Sequence, residues 1–162
     1  MSPIQYFKNI FPLIIVAIPS LALDIITKRI VQFHIPKGSG ITVIDGFFNL
    51  RHDRNTGAAF GILSDQRTLL VIITIAALLF IVIYSFRFSH SRWMQVSLGF
   101  LLGGAVGNFI DRIYLGEVVD FLQFGIESKR LYWPTFNVAD ISVCIGAGML
   151  IVYLFRVQNT EN

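Results

Sequence analysis

Nineteen consecutive residues, Thr68 to Phe86, read TLLVIITIAALLFIVIYSF and carry no charge. A helix needs about 20 apolar residues to cross the hydrocarbon core of a bilayer. At that depth the backbone must satisfy its own hydrogen bonds, so a helix is the natural form of such a run. This stretch limits the chain to folds built around membrane-spanning helices. Three more apolar runs share its length: Ile10 to about Ile30, Trp93 to about Tyr114, and Val138 to about Val157. Only 14% of the residues are charged, against about 25% in soluble domains. The expected fold is an all-α membrane protein, one domain over residues 1–162, with four transmembrane helices at about 10–30, 68–86, 93–114 and 138–157. Both termini then lie on one side, and the long loops, 34–67 and 115–137, on the other.

Charge narrows the function classes. The net charge of +3 is scattered, with no basic run, which argues against nucleic acid as a partner and against a polybasic membrane tether. It does not orient the bundle. Lys8, Arg87, Arg92 and Arg156 fall on the terminal side, whereas nine of the thirteen basic residues lie on or near the loop side; density and number point in opposite directions. The single cysteine, Cys144, cannot form an internal disulfide and reads as a small buried hydrophobe. Ser20-Leu21-Ala22 loosely resembles a signal-peptide cleavage site, but the first run is long enough to span. Pro12 suits a first helical turn, and Pro19 predicts a kink that neighbouring helices tolerate.

The loops have structure of their own. Ile41 to Ile44, the pair Asp45-Gly46, and Phe47 to Arg51 predict a small β-hairpin. Asn55-Thr56-Gly57 is turn chemistry, and Ala58, Ala59 and Gly61 permit close backbone approach, so this loop is expected at the lipid interface. The second loop holds an interfacial aromatic set: Phe121, Phe124, Tyr132, Trp133 and Phe136. Together these predict an aromatic cradle and lid. The second span reads as scaffold, and Arg87 to Arg92 as a tight turn. Gly99, Gly103 and Gly107 recur every four residues and predict a groove for another helix.

Ionisable groups at membrane depth are costly and mark function. Asp24 and Lys28 stand at i,i+4, either as a surface ion pair or as part of a site. Gly104, Asn108, Asp111 and Arg112 share a helix face near the end of the third span. Asp120 lies just beyond that span, and Asp140 opens the fourth. Asn137, three residues earlier, also suits Asp140 to a helix cap. If the third and fourth spans are neighbours, the two carboxylates meet at one surface, share a proton and can activate water. No His or Cys is placed for metal or thiol chemistry; His34, His52 and His90 read as isolated, solvated loop residues.

Five ordered motifs carry a resemblance along nearly the whole chain. They are Asp24-xxx-Lys28, Asn55-Thr56-Gly57-Ala58-Ala59-Phe60, Gly103-Gly104-Ala105-x-Gly107-Asn108-x-x-Asp111-Arg112, Val119-Asp120-Phe121 and Phe136-Asn137-x-Ala139-Asp140. The sequence resembles the lipoprotein signal peptidases, or signal peptidase II family, the bacterial membrane aspartic peptidases. The resemblance implies Asp120 and Asp140 as the catalytic dyad, with no metal or organic cofactor. It implies Asn55, Gly57, Asn108, Arg112 and Asn137 at the substrate and inhibitor site, and Asp24, Lys28, Gly104, Asp111 and Ala139 in supporting roles. Asp111 is expected to be held ionised beside Arg112.

Further expectations come with the family. Substrates are prolipoproteins cut before a diacylglyceryl-modified cysteine, for whose acyl chains the glycine groove is expected to leave room, and membrane lipid and globomycin-type peptides are the other partners. The termini are expected in the cytoplasm of a bacterial cell, with the active site toward the outer face of the inner membrane. From the residues alone, two rivals stand beside the peptidase: a small proton-coupled carrier, and a membrane subunit whose polar groups only join helices.

Overall fold

The computed structural model describes residues 3–58, 62–88 and 90–158, with side chains from residue 9 onward. Ala59, Phe60 and Gly61, read above as part of a close-approach loop, lie outside the described residues. Helix α1 runs Pro3–His34, α2 Arg67–Arg87, α3 Arg92–Tyr114 and α4 Val138–Gln158. Among the described residues these four are long and apolar enough to cross a membrane. Their outward faces carry exposed Ile15, Ile26, Ile72, Ile83, Leu154 and Phe155, as lipid contact requires. Helix α1 outruns its apolar core at both ends. Pro3 suits a first helical position; Pro12 and Pro19 both lie inside the helix, so Pro12 is not in its first turn as expected, and the helix ends before Ile35, which precedes Pro36.

Helix α3 is the centre of the bundle, packed against α1, α4 and α2. Its glycines explain the closeness. A methyl group built on Gly99 would sit 2.7 Å from the Leu13 carbonyl oxygen, and one on Gly103 2.8 Å from that of Ala17. On the adjoining face, one on Gly104 would strike the Ala139 carbonyl of α4. The expected groove exists, but α1 fills it, so it leaves no room there for acyl chains. Leu13, Ala17, Ile81, Met94 and Leu98 pack the end of the bundle nearest the α2–α3 turn. That turn is braced by Gln95, whose Nε2 donates to the carbonyls of Ser85 and Phe88 at 2.8 and 3.2 Å.

At the other end stands a small antiparallel sheet, larger than the predicted hairpin. Strands β1 (Gly40–Ile44), β2 (Phe48–Asn55), β3 (Val118–Ile126) and β4 (Leu131–Tyr132) lie in that order. Gly46, at φ +70°, makes the β1–β2 turn. Register places Asp53 opposite Asp120 and Asn55 opposite Val118, with a bulge between Leu50 and Asp53. Phe121 is buried with Val31 and Ile35. It therefore anchors the sheet to α1 and is no part of an exposed aromatic surface. Phe124 does stack on Phe48 and Phe136, at centroid distances of 4.6 and 5.9 Å. His52 is buried, not solvated: its ring Nδ1 lies 2.7 Å from the Ile35 carbonyl oxygen. His34 and His90 are exposed as expected, although His34 ends helix α1 and does not lie in a loop.

Candidate active site

The site forms where α3, the start of α4 and the ends of β2 and β3 converge. Asn137 caps α4: its Oδ1 accepts from the Asp140 backbone N–H at 3.0 Å, and Asp140 Oδ2 accepts from the Asn137 N–H at 3.0 Å. This reciprocal box satisfies two otherwise orphan donors and locks the Asp140 side chain. The capping role and a chemical role are thus compatible. Asn108 Nδ2 donates to the remaining oxygen, Asp140 Oδ1, at 2.8 Å.

Asp120 is brought in by strand β3 and is 2% exposed. Its Oδ1 accepts from Asn137 Nδ2 at 2.7 Å and its Oδ2 from Asn55 Nδ2 at 3.0 Å. Asn137 therefore touches both aspartates, one through its side chain and one through its backbone. Burial, and next the nearby Asp140 carboxyl, push Asp120 up to about 7, outweighing its two amide donors and Lys28. Each of the four carboxyl oxygens meets one N–H donor, so geometry is fixed while neither charge is neutralised by contact.

A second polar cluster supports the first. Lys28 Nζ lies 2.8 Å from Asp24 Oδ2, 3.0 Å from Asp111 Oδ2 and 2.9 Å from Asn108 Oδ1. Asp24 is wholly buried and Lys28 is 3% exposed, which excludes a surface pair. Asp24 Oδ1 also accepts from the Ala139 N–H at 2.8 Å, tying α1 to the start of α4. Asp111 accepts from the Val119 N–H at 3.2 Å, so it holds strand β3 beside Asp120. Its ionic partner is Lys28, not Arg112 as adjacency suggested; residues one apart on a helix do not face each other. Arg112 instead donates through Nη2 to the Gly57 carbonyl at 2.9 Å. Gly57 N–H donates to Asn55 Oδ1 at 2.8 Å, forming a side-chain-closed turn.

Both aspartates line a cleft of about 640 Å³ between α2 and α4, floored by Ala105, Asn108 and Arg112 of α3. Every sequence-predicted site residue among Asn55, Asn108, Arg112, Asp120 and Asp140 lines it. Asn137, Gly57 and the supporting residues stand behind them. Sequence reading missed two walls. Ile73, Thr74 and Ala77 of α2 face the cleft, so α2 is more than scaffold; being uncharged, these positions carried no signal. Cys144 also lines the cleft and is exposed, not buried. Among the described residues no group of three His, Cys, Asp or Glu side chains is arranged to hold a metal ion.

Comparison with known proteins agrees on one family. The family described as Signal peptidase (SPase) II matches residues 16–156. A lipoprotein signal peptidase of Halothermothrix orenii is 42% identical over 142 residues, covering 88% of this chain and 94% of the relative. One of Symbiobacterium thermophilum is 44% identical over 147 residues, covering 90% and 95%. A bacterial membrane enzyme solved by the in meso method at 2.3 Å resolution superposes with a TM-score of 0.82 at 38% identity, over 93% of this chain and 91% of that one. With this coverage and a fold of four apolar helices and a small sheet, the chain is a multi-pass membrane protein that belongs to the signal peptidase II family.

Proposed function

We propose that this chain is a lipoprotein signal peptidase that cuts prolipoproteins immediately before a diacylglyceryl-modified cysteine, with Asp120 and Asp140 as its catalytic residues. The observation that carries this reading is the pair of carboxyls tied together by Asn137 at the edge of an apolar cleft. Such a pair retains one proton where two charges would repel. Water seated between them loses a proton to the ionised carboxyl as its oxygen attacks the scissile carbonyl carbon. The protonated carboxyl gives its proton to the carbonyl oxygen. The tetrahedral diol then collapses: the carboxyl that took the water's proton gives it to the leaving amine as the C–N bond breaks, and one diol hydroxyl becomes the carbonyl by returning its proton to the other carboxylate, which restores the single shared proton. Asp120 is the member that holds the proton at rest, in keeping with its burial and raised affinity.

The surroundings suit a lipid-anchored substrate. Ile73, Ala77, Ile141, Val143 and Ile145 give the cleft an apolar wall beneath the aspartates. Acyl chains lie against it while the peptide crosses the dyad near Asn55, Gly57 and Arg112. Globomycin-type lipopeptides occupy the same cleft. The termini lie in the cytoplasm and the sheet at the outer face of the inner membrane. A carrier needs a polar route to the far side, and there Leu13, Ile81, Met94 and Leu98 pack tightly. Purified protein in detergent is given lipidated and unlipidated forms of one precursor, and products are weighed by mass spectrometry. The expected result is one cut, before the modified cysteine, in the lipidated form alone. Equal cutting of both forms, or a cut elsewhere, contradicts the proposal.

A further inference from the structure

Lys28 does not line the cleft, yet it is one of two donors that hold the side-chain oxygen of Asn108. An ammonium has three hydrogens and no acceptor capacity. Here Nζ donates to Asn108 Oδ1 at 2.9 Å and forms ion pairs with Asp24 and Asp111 at 2.8 and 3.0 Å. Asn137 Nδ2 reaches the same Oδ1 at 3.1 Å. With its oxygen held by two donors, the Asn108 amide has only its NH₂ group left to face Asp140. An asparagine without such a lock can turn over and present either edge. We infer that Lys28 is a positioning residue for the peptidase reaction: through Asn108 it keeps an N–H donor on Asp140, and so sets the pH range over which the dyad carries its single proton.

The inference rests on the dyad reading above. The charged groups around Lys28 are Asp24 on its own helix, Asp111 and the adjacent Arg112 on α3, Asp120 on β3 and Asp140 on α4. Lys28 also acts on Asp120 directly, drawing its proton affinity down against the larger upward effects of burial and Asp140. Removing the ammonium takes away both the lock and this restraint. The first leaves Asp140 Oδ1 without a fixed donor, and the second makes Asp120 hold its proton more tightly.

Lys28→Met alone would strand two buried carboxylates. Lys28→Met with Asp111→Asn strands only one, Asp24, and keeps the trio at one net negative charge before and after. In that double variant, folded by circular dichroism and thermal unfolding, kcat falls on the order of 10²-fold. The basic limb of its kcat/KM profile moves up by about one pH unit, and KM changes little. An unchanged limb overturns the inference and leaves Lys28 a structural residue. A measurement without that variant covers the case in which it does not fold. Of the four lysines, Lys8, Lys37 and Lys129 are replaced by Arg and the remaining ammonium is followed by nitrogen-15 NMR. Its shift is expected to move with the midpoint of the basic limb; a flat shift through that range overturns the inference. Failure of the dyad itself is seen separately, as undiminished cleavage by Asp120→Asn and Asp140→Asn.

Discussion

Two pairs of carboxylates sit at the same end of this bundle, and they are held in opposite ways. Asp24 and Asp111 are bridged by an ammonium, Lys28, within 3.0 Å of each. Asp120 and Asp140 are bridged by neutral amides, chiefly Asn137 at 2.7 and 3.0 Å. A buried cation between two anions lowers the cost of their burial and makes them a fixed joint. Amide donors fix position almost as well but leave the charge on the pair, so the pair must share protons. On the proposed reading, the bridging group is what separates a joint from a reactive centre. Lys28 and Asn108 connect the two clusters, so the joint also holds the proposed catalytic pair in place.

Breaking each pair should give different losses. The largest effect is expected from Asp120→Asn or Asp140→Asn: cleavage falls by roughly 10⁴-fold or more, while thermal unfolding in detergent shifts by no more than about 4 °C. Next comes Asp24→Ala, which leaves the Ala139 N–H unpaired and Lys28 with one carboxylate; its cost is about 3–5 kcal/mol of stability, read from the same unfolding curves. Unchanged stability there would mean that the joint carries no load. Gly104→Val is expected to cost about 1–3 kcal/mol by forcing α4 from α3, and to lower cleavage by moving Asp140. Gly148→Ala is its control, because a methyl group there meets nothing within 4 Å, and its effect stays within about 0.5 kcal/mol.

The pH dependence sharpens the comparison further. Asp120 keeps its proton to about pH 7 in the fold, whereas an unfolded Asp releases it near pH 3.9. Between those values the folded state binds more protons, so this contribution to stability is full at acid pH and is lost as pH rises toward 7. Asp120→Asn is expected to flatten that slope, and wild-type kcat/KM to fall as pH rises through about 7. The smallest effect concerns Trp133, which lines the cleft and is 59% exposed. Its fluorescence should shift to the blue when a lipopeptide binds; indifference would remove the 133–136 segment from the role of lid.

The parts legible in sequence were those with a strong physical signature. Four apolar runs gave the helices, and the four-residue glycine spacing gave the α1–α3 seam. Polar residues too costly for lipid marked Asp24, Lys28, Asn108, Asp120 and Asp140. What escaped had no such contrast. Strand β3 reads VVDFLQFGI, where Asp120 and Gln123 break the apolar alternation, so a nine-residue strand passed for loop. Its run of Val118, Val119, Phe121, Leu122 and Phe124 was the available signal. Partners also escaped: Asp111 joins Lys28 eighty-three positions away, while Arg112 beside it turns to Gly57. Adjacency along a helix says little about which face a charge meets. Cys144 was read as buried because its neighbours are apolar, but in a bilayer apolar residues face outward as readily as inward.

The most direct test of the account measures cleavage and unfolding on the same preparations of Asp120→Asn and Asp24→Asn. The account predicts a crossed result. Asp120→Asn abolishes cutting of the diacylglyceryl-modified precursor and unfolds near the wild-type temperature, whereas Asp24→Asn loses stability and retains cleavage in proportion to the protein still folded. If Asp120→Asn cuts at the wild-type rate, or if both variants lose stability alike with activity merely following, the two carboxylate pairs do not differ in task and the account is wrong.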